Sequence, residues 1–413
     1  MNLPLQLQSF LGLLALCLLC WVMGGCRRGV RPRVVLAGLA GMLAIAAVML
    51  HVPPIRAGFA LVGSAVDALA RATRAGTALV FGYLGGGPLP FQEAVPGSSF
   101  ILFFQALPLV LVVGALSALL FHWRVLPFIV RLLASGLQRL FGIGGAAGFA
   151  VAANVFVGMV EAPLLIRAWL ARLTRAEMFV VMVAGLATIS GNTLVVYALI
   201  ISPVVPGAAG QLLTASLVAA PASVLAALLM IPGDAGTDAE TTAMPSPYAS
   251  SMEALVQGTA DGLQLLLGIM AALIVFVALV ALMNEILQPL LGVTLQQAAG
   301  WLLKPLALAM GVPWSESAAV GASLGTKLVI NEFVAYLGLA AEGGALSERT
   351  RLILAYALCG FANFGSVGIM LGGMSTLCPE RRADIVALGL PSLACATVAC
   401  CLSGAAVGVL TAP

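Results

Sequence analysis

Long apolar runs separated by short polar stretches make up most of this chain. Eight of the runs approach the roughly 20 residues that a helix needs to cross a bilayer. They cover approximately residues 6–25, 34–52, 99–122, 178–201, 209–231, 255–284, 350–373 and 384–410. Because the runs are continuous, rather than alternating between apolar and polar residues, they exclude a transmembrane β-barrel. The pattern predicts an all-α integral membrane protein with eight transmembrane helices.

Three further stretches do not fit as simple spans. Residues 54–83 are amphipathic, with charged residues at near-helical spacing, which favours a helix lying along the membrane interface. Residues 125–172 and 295–342 are apolar but are broken by Gly, Pro and polar residues near their centres. For each we predict a re-entrant hairpin of two half-helices that meet at an irregular tip. Such backbone is tolerated at membrane depth only where it is buried in protein or lines a cavity.

A Glu followed by an Asn occurs twice inside apolar segments, with the same separation each time. Asn192 follows Glu161 at the same distance along the chain at which Asn363 follows Glu332. A carboxylate at the centre of a membrane helix costs about 2.5–3.5 kcal/mol on insertion scales. Its presence in both places indicates an internal duplication built around a buried polar site.

Charge supports the membrane assignment and suggests an orientation. Charged residues make up 8% of the chain, against about 25% in soluble domains. With the N-terminus outside, 12 arginines fall on the cytoplasmic side and five outside, as the positive-inside rule requires. We therefore expect both termini in the periplasm. No Lys or Arg precedes the first apolar run, so we predict a retained helix there, not a signal peptide.

The predicted elements divide the chain into four parts. Residues 1–122 form scaffold helices with the interfacial helix, and residues 123–231 form a first transport repeat. Residues 232–294 contain a polar linker and a long scaffold helix, and residues 295–413 form a second transport repeat. In the predicted orientation the two hairpins enter from opposite sides. Inverted repeats with broken helices are typical of secondary transporters, whose substrate lies near the midplane at the repeat interface.

Several polar and aromatic residues have alternative interpretations at this stage. Glu161 could form an ion pair with Arg167, and Asn192 could bind one helix to another. Lys327 could bind an anion, although we expect it to pair with a local carboxylate. Phe361 could stack on a flat ligand or simply pack. Most of the eight cysteines fall inside apolar runs, which favours small apolar helix residues over a cofactor site, and the formal charge of +3 does not suggest nucleic acid as a partner.

Four motifs resemble the concentrative nucleoside transporter family. They are EAPL at 161–164, NEFVAY at 331–336, CGFAN at 359–363 followed by Ser366, and PERRADI at 379–385. The resemblance covers nearly the whole chain. It implies a homotrimer with a scaffold domain and a mobile transport domain that contains both hairpins. It further implies elevator-type import of nucleosides down a sodium or proton gradient.

The resemblance also assigns roles to residues of this chain. Those matched to ribose binding are Glu332, Asn363 and Ser366. Those matched to base binding are Met159, Val160 and Glu161 of the first tip, together with Phe361. The matched sodium ligands are the Asn154 side chain, the Val157 carbonyl, the Thr188 hydroxyl and the Ile189 carbonyl.

The first tip departs from the family pattern. Many members read Gly-Gln-Thr/Ser-Glu, whereas this chain reads Gly158-Met159-Val160-Glu161. A site that loses hydrogen-bonding groups discriminates less strongly between bases. The sequence therefore does not decide between purine and pyrimidine nucleosides, and it slightly favours purines because they offer a larger apolar contact.

We expect an inner-membrane symporter that carries nucleosides inward with sodium. A proton-coupled symporter, with Glu161 or Glu332 carrying the proton, is the nearest alternative, and a membrane receptor or channel for nucleosides is an alternative of another class. The chain carries no HExxH motif and no carboxylate-rich metal motif, so we assign no catalytic residue and expect no enzyme. The expected partners are a nucleoside, the lipid bilayer and other copies of the chain.

Overall fold

The described chain consists of α-helices joined by short connections. The computed structural model describes residues 4–93, 98–233 and 247–412; most of the predicted polar linker therefore lies outside the described residues. The first helices are α1 (Leu5–Met23), α2 (Pro32–His51), α3 (Pro53–Phe81), α4 (Leu102–Gln105), α5 (Leu109–His122), α6 (Val125–Phe141), α7 (Gly145–Asn154), α8 (Glu161–Leu165), α9 (Arg167–Leu170), α10 (Arg175–Ala187), α11 (Gly191–Ile201) and α12 (Ala208–Met230). The remaining helices are α13 (Ser251–Leu291), α14 (Leu295–Ala309), α15 (Ser317–Val329), α16 (Glu332–Glu342), α17 (Glu348–Leu358), α18 (Phe364–Leu377) and α19 (Arg382–Leu410). Three short 3₁₀ helices accompany them in the described ranges, at Gly82–Gly85, Gly343–Ala345 and Pro379–Arg381.

The helices confirm an all-helical membrane protein that crosses the bilayer several times. Seven segments of the described chain are long and apolar enough to span. They are Leu5–Met23, Pro32–His51, Leu102–His122, Arg175–Ile201, Ala208–Met230, Ser251–Leu291 and Pro379–Leu410. Each overlaps a predicted span. The eighth predicted span, 350–373, is divided between the two shorter helices α17 and α18, so the count of eight spans stays a prediction.

Two of the predicted spans are broken in the middle. The segment 178–201 contains most of α10 and all of α11, with residues 188–190 between them. Residues 359–363 separate α17 from α18 in the same way. The Gly- and Ser-rich sequence at both places indicates weakened helices, and the structure places real breaks there. Carbonyls at such breaks lack helical donors and need other partners.

Each predicted hairpin region begins with a helix that the sequence does not indicate. Residues 125–172 begin with α6 and residues 295–342 begin with α14, so the two-half-helix description of these ranges is wrong. A glycine with positive φ ends each extra helix: Gly142 at 67° and Gly311 at 86°. The predicted hairpins correspond to α7 with α8 and α9, and to α15 with α16; that they are re-entrant stays a prediction.

The same order of helices occurs twice. The helices α6, α7, α8, α10, α11 and α12 are followed later by α14, α15, α16, α17, α18 and α19, and each later helix starts at a nearly constant distance along the chain from its equivalent. The step from Glu161 to Glu332 is equal to the step from Asn192 to Asn363. Helix boundaries and polar residues thus support one internal duplication.

The long helix α13 packs along α5 through glycines. A Cβ atom on Gly114 would lie 2.8 Å from the Gly258 carbonyl oxygen, and one on Gly262 would lie 2.8 Å from the Leu111 Cα. Small residues allow this close approach of helices in membranes. The rest of α13 is largely exposed and apolar, with Ile274 63% exposed.

The first two helices pack differently from α5. α1 lies against α12, α14 and α19, and α2 lies against α12 and α6. Arg349 on α17 donates to the Ser9 hydroxyl at 2.8 Å and to the Leu5 carbonyl at 3.2 Å, which ties α1 to the second repeat. The assignment of residues 1–122 to one scaffold unit stays a prediction.

Candidate functional site

The second hairpin tip and the break after α17 bring three predicted ribose-binding residues together. Glu332 begins α16 and is 5% exposed. Asn363 donates a hydrogen bond of 2.9 Å from Nδ2 to Glu332 Oε2. The Asn363 Oδ1 atom accepts a 2.7 Å hydrogen bond from the Ser366 backbone N–H, which caps the N-terminus of α18. The carboxylate and amide are therefore fixed side by side in a buried setting.

Tyr197 completes this cluster, and the sequence did not reveal it. It lies on α11, and its hydroxyl donates a 2.8 Å hydrogen bond to Glu332 Oε1. Its ring packs edge-on against Phe333, with 5.7 Å between centroids, and at a tilt of 30° against Tyr336, with 4.8 Å between centroids. The only signal in the sequence was a hydroxyl within an apolar run, and a buried Tyr usually finds some partner. Each oxygen of Glu332 now has one protein donor and can still accept another.

The two arms of the second hairpin cap the broken end of α17. Lys327 on α15 is 3% exposed and donates from Nζ to the Ala357 carbonyl at 2.9 Å. Tyr336 on α16 donates to the Ala355 carbonyl at 2.9 Å. The expected pairing of Lys327 with a local carboxylate is wrong: Glu332 lies within electrostatic range but bonds to Tyr197 and Asn363 instead. The carbonyls of the last helical turn lack helical partners, and these two donors satisfy them.

The first hairpin tip is formed by residues 155–160, between α7 and α8. The Glu161 carboxylate folds back over Gly158 and fills the space that a Cβ atom would need there. Glu161 is exposed, and among the described residues it makes no hydrogen bond or ion pair. The possible ion pair with Arg167 is therefore not formed within the described chain. The carboxylate is available to a ligand.

The two apolar residues of this tip face the broken helices. A Cβ atom at Gly185 of α10 would lie 3.2 Å from the Met159 Cβ, and one at Gly373 of α18 would lie 2.8 Å from the Val160 Cγ1. Both side chains are half-buried. The tip thus presents one carboxylate and two apolar groups next to α10 and α18.

A buried amide lies beside the first tip without a partner. Asn154 is 1% exposed, and neither Nδ2 nor Oδ1 has a hydrogen-bond partner among the described residues. The Thr188 hydroxyl, in the break after α10, lies 2.9 Å from the Ala184 carbonyl and 3.3 Å from the Asn154 carbonyl. An unsatisfied buried amide costs about 1–3 kcal/mol. A cation bound to its oxygen would offset that cost.

The other two predicted sodium ligands flank the same break. Val157 belongs to the tip that follows Asn154, and Ile189 is fully buried between α10 and α11. The Gly191 N–H donates to the Phe156 carbonyl at 3.0 Å, which holds the tip against the start of α11. The four residues therefore lie on two adjoining segments of chain.

The remaining candidates divide between structural and exposed positions. The Asn192 Oδ1 atom accepts a 3.0 Å hydrogen bond from Ser117 on α5, so Asn192 binds helix to helix. Phe361 is half-buried and packs against the core. Phe364 is 52% exposed. Within the described residues no cluster of His, Cys, Asp and Glu could hold a metal through side chains alone.

Comparison with known proteins identifies the family. Residues 211–408 match the model described as Na+ dependent nucleoside transporter C-terminus, and residues 11–84 match its N-terminus model. Residues 103–204 match the model named Gate, described as nucleoside recognition. The chain belongs to the concentrative nucleoside transporter family.

Two relatives and one set of solved structures agree with this membership. The transporter YutK of Bacillus subtilis, whose function is uncharacterized, is 35% identical over 98% of this chain and 99% of its own length. The rat sodium/nucleoside cotransporter 1 is 31% identical over 99% of this chain and 64% of its own length. CNTnw in an inward-facing substrate-bound state is 32% identical, with a TM-score of 0.90 over 98% of this chain and 99% of that one. A variant of CNTnw in an outward-facing state matches with a TM-score of 0.88. This concentrative nucleoside transporter family member is therefore a multi-pass membrane transporter and not an enzyme.

Proposed function

We propose that this transporter is a secondary active symporter that imports nucleosides across the inner membrane, driven by a sodium gradient. The observation that carries the substrate class is the buried pair of Glu332 and Asn363, joined at 2.9 Å. A buried carboxylate is costly in a membrane and marks a functional site by default. The vicinal hydroxyls of a ribose are uncharged, and such a carboxylate can accept hydrogen bonds from them.

The ribose binds between the second tip and the start of α18. Glu332 accepts hydroxyl protons in charge-assisted hydrogen bonds, which are about twice as strong as neutral ones. Asn363 and Ser366 supply further polar groups next to it. Tyr197 and Asn363 hold the carboxylate in place from two sides. Binding of the sugar therefore costs little side-chain entropy at Glu332.

The base lies against the first tip and Phe361. Met159 and Val160 offer apolar contact, and Glu161 offers the one free carboxylate of the tip. With few hydrogen-bonding groups, the tip discriminates bases weakly. We expect both purine and pyrimidine nucleosides to be carried, with purines favoured by their larger apolar contact.

Sodium binds between the first tip and the break after α10. The unpartnered Asn154 amide supplies its oxygen, Thr188 supplies its hydroxyl, and Val157 and Ile189 supply carbonyls. Oxygen ligands and unwound helix ends are what transporters use to hold Na⁺. The description of the matching family and the name of the rat relative are consistent with sodium coupling.

Transport follows an elevator-type alternating-access cycle in our proposal. Both hairpins are re-entrant, enter from opposite sides, and move with α10–α12 and α17–α19 as the two halves of an inverted repeat. The nearly constant spacing between equivalent helices supports the repeat. The likeness to CNTnw in inward- and outward-facing states supports two end states of the cycle.

The proposal also includes the membrane topology and the oligomeric state. We place α3 along the membrane interface, count eight spans and put both termini in the periplasm. The exposed apolar face of α13 supports a homotrimer in which this helix contacts other copies or lipid.

Saturable accumulation tests whether the chain is a transporter of nucleosides rather than a receptor or channel for them. Purified protein in proteoliposomes is given labelled uridine or adenosine at a low outside concentration. A symporter raises the inside concentration above the outside one, whereas a channel only equalises them and a receptor binds without accumulation. Accumulation of neither nucleoside under any ion gradient would contradict the proposed function.

A further inference from the structure

The two helix breaks touch each other inside the protein. Residues 188–190 follow α10, and residues 359–363 follow α17. A Cβ atom on Gly360 would lie 2.7 Å from the carbonyl oxygen of Ala187, the fully buried last residue of α10. Only a glycine allows one backbone to approach another this closely. The second break therefore rests directly on the end of α10.

Cys400 of α19 lies between the same two helix ends. It is 1% exposed, and its Sγ atom lies 3.7 Å from the Ala187 carbonyl oxygen and 3.8 Å from the Cys359 carbonyl oxygen. A Cβ atom on Gly360 would also lie 2.8 Å from this Sγ atom. A thiol has a single proton and is a weak donor, so it donates to one carbonyl at a time. Because protein interiors are closely packed, a shift of one helix end displaces the other.

The end of α10 adjoins the proposed sodium site. Ala187 immediately precedes Thr188 and Ile189, whose hydroxyl and carbonyl are proposed ligands. The Thr188 hydroxyl also lies 3.3 Å from the Asn154 carbonyl oxygen. The Ala187 carbonyl and the Thr188 nitrogen belong to one peptide group, which is planar. An ion bound at Thr188 therefore restricts the orientation of the Ala187 carbonyl.

The break after α17 adjoins the proposed ribose site. Gly360 precedes Phe361, whose carbonyl accepts a 2.8 Å hydrogen bond from the Asn363 N–H in a tight turn. The Asn363 side chain bonds to Glu332 at 2.9 Å. A displacement of Gly360 therefore moves Asn363 relative to Glu332 and changes the spacing of the groups that bind the sugar.

We propose that the contact of Gly360 and Cys400 with the Ala187 carbonyl couples the two sites, so that sodium bound in the first break holds the second break in its ribose-binding position. Gly360 and Cys400 are positioning residues, because they act on the sites through the backbone and bind neither ligand. The inference rests on the proposed function, because it assumes sodium at the first break and ribose at the second.

The coupling is measured as a ratio of two dissociation constants. Calorimetry with the purified full chain gives the Kd of adenosine and of uridine in saturating sodium and with sodium replaced by choline. Coupling between two sites typically changes affinity by about 5–150-fold, and the ratio of the two constants is that factor. A residue with a purely structural role changes both constants alike and leaves the ratio as it was. A positioning residue in the coupling lowers the ratio.

Gly360→Ala should lower the ratio by at least about fivefold, the lower end of that range. The added methyl group would lie 2.7 Å from the Ala187 carbonyl oxygen and must push the two breaks apart. Gly368→Ala of α18 is the matched control, because a Cβ atom there meets no atom of the described residues within 4 Å. It should leave the ratio unchanged.

Cys400→Ala should lower the ratio by about twofold, which corresponds to a hydrogen bond at the weak end of the usual range. Cys400→Ser keeps a donor of similar shape and should keep the ratio. The matched control is Cys395→Ala, which removes another buried thiol of α19, one that lies against Cys20 of α1. It should also keep the ratio.

The outcomes separate the inference from the proposed function. An unchanged ratio in both Gly360→Ala and Cys400→Ala overturns the coupling contact and leaves sodium symport intact. Cys400→Ala introduces no steric clash, so it decides alone if Gly360→Ala does not fold. If sodium has no effect on nucleoside binding to the unaltered protein, or if neither nucleoside binds, the proposed function is overturned and the inference with it.

Discussion

The Tyr197 hydroxyl donates a 2.8 Å hydrogen bond to the Glu332 carboxylate and so joins α11 of the first repeat to α16 of the second. The contact makes the proposed ribose site depend on both halves of the duplication. It also gives Tyr197 a positioning role, since the carboxylate would otherwise be held by Asn363 alone.

Tyr197→Phe should weaken nucleoside binding while the ring packing against Tyr336 is kept. A hydrogen bond to a charged group contributes about 1.5–3 kcal/mol, so we expect Kd to rise by at least about tenfold. Nucleoside binding to the purified protein measures the effect. Tyr356→Phe is the matched control, because it removes a buried hydroxyl that bonds to Gln211 at 2.8 Å outside this site. Equal losses in both variants would contradict a specific role for Tyr197.

Glu332→Gln should weaken binding of every nucleoside that carries a ribose, because it replaces a charged acceptor with a neutral one of the same size. The oligomeric state, which we propose to be a trimer, should be unchanged, and size-exclusion chromatography of the purified protein checks this. Uptake of uridine and adenosine is the functional measurement. Unchanged uptake of both would remove Glu332 from the ribose site.

Met159→Gln combined with Val160→Thr should change the ratio of uridine to adenosine uptake. The two changes restore polar groups at the tip beside the exposed Glu161 carboxylate, and polar groups increase discrimination between bases. The competition of a nucleoside panel against labelled adenosine gives the profile. A profile identical to that of the unaltered protein would show that this tip does not contact the base.

Thr188→Val should raise the sodium concentration needed for half-maximal uptake, because it removes a proposed ligand without changing the size of the side chain. Uptake at saturating sodium should be largely retained. Thr214→Val serves as control, since its buried hydroxyl bonds to the Gly210 carbonyl within α12 and is not among the proposed sodium ligands. A sodium dependence that is the same in both variants would exclude Thr188 from the cation site.

The sequence was sufficient to predict an all-helical membrane protein and the interruptions of the helices before Glu161 and Glu332. Glu161 and Glu332 stood out because carboxylates are costly in apolar segments, and their equal distances to Asn192 and Asn363 indicated the duplication. Gly- and Ser-rich sequence correctly marked the two helix breaks. These features are local in the chain, so they can be recognised without knowledge of the packing.

Partners that lie far apart in the chain could not be predicted. Tyr197 meets Glu332 across 135 residues, and Lys327 meets the Ala357 carbonyl across 30. A buried lysine needs a hydrogen-bond acceptor, but only the packed structure reveals that the acceptor is a backbone carbonyl at a helix end rather than a carboxylate. The extra helices α6 and α14 were missed because their ends depend on Gly142 and Gly311 adopting positive φ, which the apolar pattern does not reveal.

The most direct test of sodium-driven nucleoside import is initial uptake of labelled adenosine and uridine into proteoliposomes under separate sodium and proton gradients. We predict that an inward sodium gradient drives accumulation and that a proton gradient without sodium does not. Accumulation that follows the proton gradient and ignores sodium would contradict the account.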